Sequence, residues 1–204
     1  MQAAGGTPVG EGDGGPAEVS SAAPRPRTWW VFAATFVVLY VVDQITKIQA
    51  VEHLTGADDK PLIGEVLQLR LVYNPGAAFG IGPDLTVAIT VLAVVASLVV
   101  LWVSRTLRDK VWALSLGLLL AGIDGNLTDR LFREPQAFHG HVVDFLMLPN
   151  WPVFNVADIC INVGAALALV QVFRGVGLDG TKETRSDPGA DADADAGSDP
   201  EVAG

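Results

Sequence analysis

Cysteine is nearly absent from this chain: Cys160 is the only one in 204 residues. A single thiol excludes an intrachain disulfide and a zinc site built from cysteines. Its place in an apolar run reads as a buried, inert thiol rather than a nucleophile. Basic charge is scarce too, with 13 Lys and Arg against 23 Asp and Glu. That balance lacks the basic footprint of a nucleic-acid binder. There are three histidines. His139 and His141 stand near Asp144, but nothing completes a coordination shell, so neither metal nor cofactor is expected. No hydroxyl residue is paired convincingly with Lys or His, which leaves serine chemistry weak.

What the chain has in plenty is apolar sequence: half its residues are hydrophobic and its mean hydropathy is +0.39. The net charge of -10 conceals this, because much of the acidity lies in the tails. Residues 1–27 are rich in Gly, Ala, Pro and Glu without apolar periodicity, and the stretch from Arg174 to Gly204 is an acidic Asp/Ala/Gly run. Both read as disordered. The front segment also lacks the basic start and apolar core of a secretory leader.

Between the tails, residues 28–173 read as one membrane domain of four spans. A span needs about 20 apolar residues. Thr28 to Val42 is short for this unless Asp43-Gln44-Ile45-Thr46-Lys47 lies at the boundary, with Trp29 and Trp30 marking the other interface. Leu85 to Val103 is the clearest span, 19 residues without a charge. Val111 to Phe132 and Val153 to Phe173 complete the set. The loop 52–84 holds a short strand or two between Leu62 and Tyr73, then the turn signature Asn74-Pro75-Gly76. The loop 133–152 carries a short apolar run from Val142 to Leu148. The fold class is therefore an all-α integral membrane protein with a small β-containing extracytoplasmic loop.

Four spans put both termini on one side. Arg25, Arg27, Arg105, Arg108, Lys110 and Arg174 all fall there, which by the positive-inside rule is the cytoplasm. The conspicuous polar residues collect at the opposite face. Ionisable groups inside a bilayer cost about 2.5–3.5 kcal/mol each and are rarely kept without a task. Asp144 lies among Val142, Val143, Phe145 and Leu146, and Asp158 lies inside the fourth run. Two carboxylates in apolar surroundings at one face suit a shared proton, one acting as base and the other as acid. A proton or cation pathway through a small transporter suits them equally, and spacing alone leaves both open.

Other features have plainer readings. Asn126/Asp129 and Asn155/Asp158 repeat an Asn-x-x-Asp pattern that on a helix lets each amide orient its neighbouring carboxylate. Asp43 and Lys47, four apart, read as a helix-surface pair, with Lys47 also able to meet a lipid headgroup or phosphate. Asp129 and Arg130 read as a local salt bridge or fold anchor. Gly117, Ala121 and Gly125 recur every four residues, the spacing of close helix packing.

The ordered set Asp43-x-x-x-Lys47, Asn74-x-Gly76-Ala77-Ala78-Phe79-Gly80, Gly125-Asn126-x-x-Asp129-Arg130, Val142-Val143-Asp144-Phe145 and Phe154-Asn155-x-Ala157-Asp158 resembles the lipoprotein signal peptidase (signal peptidase II) family. The resemblance covers roughly residues 28–173. It implies an intramembrane aspartic endopeptidase of the bacterial cytoplasmic membrane. Such an enzyme removes signal peptides from diacylglyceryl-modified prolipoproteins, cutting just before the lipidated cysteine. The family's catalytic dyad carries over onto Asp144 and Asp158. Its supporting positions fall on Asp43, Lys47, Asn74, Asn126, Arg130 and Asn155, with Gly76 and Asp129 beside them. The implied partners are lipid-modified prolipoproteins and membrane lipids, with no nucleic acid, and the chain is read as a monomer. One departure stands out: Asp124 occupies a place where the family usually has a small or apolar residue.

Overall fold

The computed structural model describes residues 28–76 and 85–182. The expected disorder of residues 1–27 and 183–204, and the motif residues Ala77 to Gly80, lie outside the described residues. Four helices are long and apolar enough to cross a membrane: α1 (Trp29–Leu54), α2 (Thr86–Val103, extended by a 3-10 turn to Thr106), α3 (Lys110–Phe132) and α4 (Val156–Phe173). Three strands, β1 (Lys60–Ile63), β2 (Leu67–Asn74) and β3 (Val142–Met147), form an antiparallel sheet in that order at one end of the bundle.

The helices turn apolar side chains outward and bury polar ones beside an apolar cluster of Phe32, Ala113, Leu116 and Leu120. On α1, Val37, Val38, Val41, Val42, Ile45 and Ile48 are exposed, whereas Asp43 and Lys47 are completely buried. Lipid is the solvent that makes this stable, since exposed apolar area costs nothing there and an exposed charge would. For the same reason α1 continues through Asp43 to Leu54, 26 residues in all. Trp29, Trp30 and Trp102 are exposed at the end away from the sheet, the amphipathic ring position of a membrane interface.

α3 is the central helix and packs against α1, α2 and α4. Small residues allow this. A Cβ on Gly117 would meet the Phe32 carbonyl oxygen at 2.9 Å, and one on Gly122 would meet that of Ala157 at 2.4 Å. Ser115 Oγ donates to the Gly164 carbonyl at 2.8 Å, giving α3 and α4 a polar tie where water is absent. The start of α3 is capped by Asp109, whose carboxylate accepts from the Val111 and Trp112 amides and from Gln171 Nε2.

Two expectations change. The sheet draws on both outer loops, because the apolar run after Gly140 is a strand: β3 pairs with β2 from Asn74↔Val142 to Gln68↔Met147. The tail expected from Arg174 does not begin there. Residues 174–182 fold back on the loop before α3, with Val176 buried. The Leu178 carbonyl accepts the Arg108 and Asp109 amides, and Trp112 Nε1 donates to the Val176 carbonyl. Backbone groups near a helix end need such partners.

Candidate active site

The fourth helix starts later than its apolar run, at Val156 rather than Val153, because Asn155 caps it. Asn155 Oδ1 accepts the Asp158 amide at 3.0 Å, and Asp158 Oδ2 accepts the Asn155 amide at 3.1 Å, a reciprocal capping box. The next free amide, that of Ala157, donates to Asp43 Oδ1 at 2.9 Å. Two carboxylates thus sit at the positive end of α4, where the helix dipole favours them.

Sheet register delivers the other carboxylate. Val72 faces Asp144 across the β2–β3 ladder. Side chains two apart on a strand share a face, so Asn74 lies diagonal to Asp144 and within reach. Asn74 Nδ2 donates to Asp144 Oδ2 at 3.0 Å. Asn155 Nδ2 donates to Asp144 Oδ1 at 2.7 Å, and Asn126 Nδ2 donates to Asp158 Oδ1 at 2.9 Å. Every carboxylate oxygen of Asp144 and Asp158 therefore receives one N–H, from a neutral group.

Each asparagine is turned this way by a donor on its own oxygen. Asn74 Oδ1 accepts the Gly76 amide at 3.0 Å. Asn126 Oδ1 accepts Lys47 Nζ at 2.9 Å, and Asn155 Oδ1 accepts the Asp158 amide. An amide whose oxygen is engaged by an obligate donor has its NH₂ fixed on the other side. Three such amides aim their donors at two carboxylates.

Lys47 supports this arrangement from below. It lies 3.0 Å from Asp43 and 2.8 Å from Asp129, and donates to the Gly125 carbonyl at 3.2 Å. The pair with Asp43 has the expected spacing but is not on the helix surface, and a fully enclosed ammonium cannot meet a lipid headgroup. Gly125 is required here: a Cβ would stand 2.6 Å from Asp43 Oδ2. Asp129 also accepts the Val143 amide at 3.2 Å and pairs with Arg133, so it ties α1 and α3 to the strand carrying Asp144. Arg130 turns away from Asp129 and holds the carbonyls of Pro75 and Gly76, at 3.4 and 2.5 Å.

The structure thus brings together all ten residues expected at the site. The Asn-x-x-Asp pattern works differently from its expected form. Asn126 serves Asp158 on another helix rather than Asp129, and Asn155 stands outside α4 as its cap. Arg133 was missed, although its place four residues after Asp129 is the helical spacing of an ion pair. Gln44, which donates to Asp43 Oδ2 and the Gly125 carbonyl, was missed as well. Asp124 is not part of the centre; its carboxylate accepts a hydrogen bond from Ser97 on α2. Among the described residues no three His, Cys, Asp or Glu side chains gather as a metal site.

Asp144 is buried on β3, outside the spans. Burial, and next the charge of Asp158, push its carboxyl up to about 7, against the opposing hydrogen bonds of Asn74 and Asn155. The two acids border a groove of about 620 Å³ that runs along α3 between α2 and α4. Its sheet end is polar, with Asn74, Asn126, Arg130, Asp144 and Asp158; its length is apolar, with Leu92, Ala93, Leu127, Ile159 and Val163. Leu92, Ile159 and Val163 are also exposed, so the groove opens sideways where lipid would lie.

Fold and site define a polytopic membrane protein with a hydrogen-bonded pair of carboxylates at the head of an apolar groove. The sequence pattern of the family described as signal peptidase (SPase) II matches residues 35–174. The chain is 46% identical over 166 residues to the lipoprotein signal peptidase of Rhodococcus jostii (strain RHA1), covering 80% of this chain and 84% of that one. It is 40% identical to the lipoprotein signal peptidase of Leifsonia xyli subsp. xyli, covering 82% and 78%. A solved bacterial membrane enzyme shares the fold with a TM-score of 0.67 at 20% identity, covering 81% of this chain and 99% of that one. This chain belongs to the signal peptidase II family. The comparisons give the rival transporter reading no support.

Proposed function

We propose that this protein is an aspartic endopeptidase that removes signal peptides from diacylglyceryl-modified prolipoproteins, cutting before the lipidated cysteine, with Asp144 and Asp158 as catalytic residues. The family and the names of its relatives support cleavage of prolipoprotein signal peptides. The observation that carries the aspartic chemistry is the pair itself. Its four oxygens are held by neutral amide donors, and no cation contacts either carboxylate directly among the hydrogen bonds that fix them. Burial and the neighbouring Asp158 charge raise the Asp144 carboxyl against these donors, which suits two acids that share one proton.

In this mechanism Asp158 takes a proton from a water as the water's oxygen bonds to the scissile carbonyl carbon. Asp144, whose carboxyl titrates near 7, gives its proton to the departing amine as the C–N bond breaks. The apolar length of the groove takes the acyl chains. Each CH₂ kept out of water is worth about 0.8 kcal/mol, so the lipid fixes the depth at which the peptide meets the dyad. Arg105, Arg108, Lys110 and Arg174 lie at the opposite end, which the positive-inside rule assigns to the cytoplasm. The dyad then faces the extracytoplasmic side of the bacterial cytoplasmic membrane.

The test is cleavage of one precursor with and without its diacylglyceryl group by the purified protein, at equal membrane concentration. Faster cleavage of the lipidated form is expected. Equal rates would remove the lipid as a recognition element.

A further inference from the structure

Asp124 lies within a span and takes no part in the catalytic arrangement. It is half-buried on α3, and its carboxylate accepts the hydroxyl proton of Ser97, which is buried on α2. Ser97 belongs to a row. Thr86, Thr90 and Ser97 are the buried residues of α2, and at about 100° per residue they fall within roughly 40° of one another. Thr86 Oγ1 donates to the Pro75 carbonyl at 2.6 Å, Thr90 Oγ1 lies 2.8 Å from the Thr86 carbonyl of its own helix and 3.2 Å from the Phe138 carbonyl, and Ser97 Oγ donates to Asp124. Thr86 holds the sheet end of the helix to an outer loop. Ser97 holds it at depth.

The groove wall lies beside this row. Ile89, Leu92, Ala93 and Ala96 of α2 line the groove, and Ile123 and Leu127, one residue before and three after Asp124, line it from α3. Much of the rest of α2 is apolar and exposed, including Val91, Leu92, Val95 and Leu98, while Val100 and Val103 pack on the core at its far end. Apolar surface against lipid has no preferred neighbour, so polar ties decide where such a helix sits.

We propose that Asp124 is a positioning residue for substrate binding: by engaging Ser97 it fixes α2 as the wall of the groove and so sets the width open to the acyl chains. This rests on the groove being the site of the lipidated substrate. A leucine at 124 would match the side-chain bulk without the acceptor. Ser97 would then turn its hydroxyl to a carbonyl one turn back in its own helix. An asparagine at 124 would still accept the Ser97 proton through its oxygen.

The experiment uses the full chain in lipid nanodiscs and a diacylglyceryl precursor. Asp124→Leu and Ser97→Ala should each raise KM by about three- to tenfold, the worth of one interhelical hydrogen bond, and leave kcat unchanged. The double variant should be no worse than either single, and Asp124→Asn should resemble the parent. A fall in kcat, additive effects, or Asp124→Asn failing as badly as Asp124→Leu would overturn the proposal. A second measurement does not depend on cleavage. Spin labels at Leu98→Cys and Val170→Cys, in a Cys160→Ala background, should give a narrow distance distribution with Asp124 or Asn at this position and a broad one with Leu. An unchanged distribution in Asp124→Leu would overturn the tether. A parent enzyme that ignores the precursor would instead overturn the functional reading.

Discussion

Lys47 Nζ lies 2.9 Å from Asn126 Oδ1, and this contact decides which way the Asn126 amide faces. Its NH₂ is left to meet Asp158 at 2.9 Å. A buried cation on α1 thereby orients the Asp158 carboxylate on α4 through a neutral amide on α3. The ammonium contacts Asp43 and Asp129 but neither Asp144 nor Asp158, so the dyad is positioned without a direct ion pair that would hold both acids ionised.

Lys47→Met keeps the bulk and removes the charge. Asp43 is then left enclosed without a counter-ion and Asp129 keeps only Arg133, and breaking a buried pair from one side costs about 3–5 kcal/mol. The expected outcome is a large fall in the unfolding temperature in detergent. An unchanged unfolding temperature would contradict the enclosed position of this lysine.

The pH profile reports on Asp144. Its carboxyl is raised to about 7 by burial and then by Asp158, so the protonated donor is present below that value and is lost as pH rises through it. The rate should therefore fall along an alkaline limb near pH 7. Asn74→Leu removes a hydrogen bond that favours the ionised form, so its limb should move to higher pH, with a lower maximum. A limb that stays in place would mean that Asn74 does not act on Asp144.

Much of this was legible before any coordinates. Charge-free runs mark spans, so the helices follow from composition along the chain; carboxylates kept in such surroundings mark a task, but only the family resemblance makes Asp144 and Asp158 a dyad. The inward face of α1 was not legible, because the four-residue spacing of Asp43 and Lys47 is the same for a surface pair and for a buried one. The strand at Val142 was hidden because the short run from Val142 to Leu148 has no period long enough to separate a strand from a buried helix segment. Asn155 was read as a helix residue because the apolar run begins at Val153, and only the cap geometry places the helix start after it.

Gly125→Ala should harm the site without removing any functional group. The added carbon would meet Asp43 Oδ2 at 2.6 Å and Ala157 Cβ at 3.2 Å, pressing on the first turn of α4 where Asp158 sits. Overpacking of this kind costs about 1–3 kcal/mol. Reduced stability together with reduced kcat is expected, and a variant matching the parent in both would show that α1 and α4 can separate freely.

Truncation separates the packed end from the acidic tail. Ending the chain after Lys182 keeps the Val176–Lys182 bridge and the Leu178 carbonyl that accepts from Arg108 and Asp109. Turnover and unfolding temperature should match the full chain. Ending it after Arg174 strips these partners and that of Trp112 Nε1, and should lower the unfolding temperature. Equal stability of the two truncations would deny residues 175–182 any structural part.

The central claim is that Asp144 and Asp158 together carry the chemistry, and the most direct measurement is turnover of a diacylglyceryl precursor by Asp144→Asn and Asp158→Asn. An amide nearly matches each carboxylate in size but cannot exchange the proton that the mechanism requires. Both variants should unfold near the parent temperature and leave the precursor uncut. Normal turnover by either one would contradict the account.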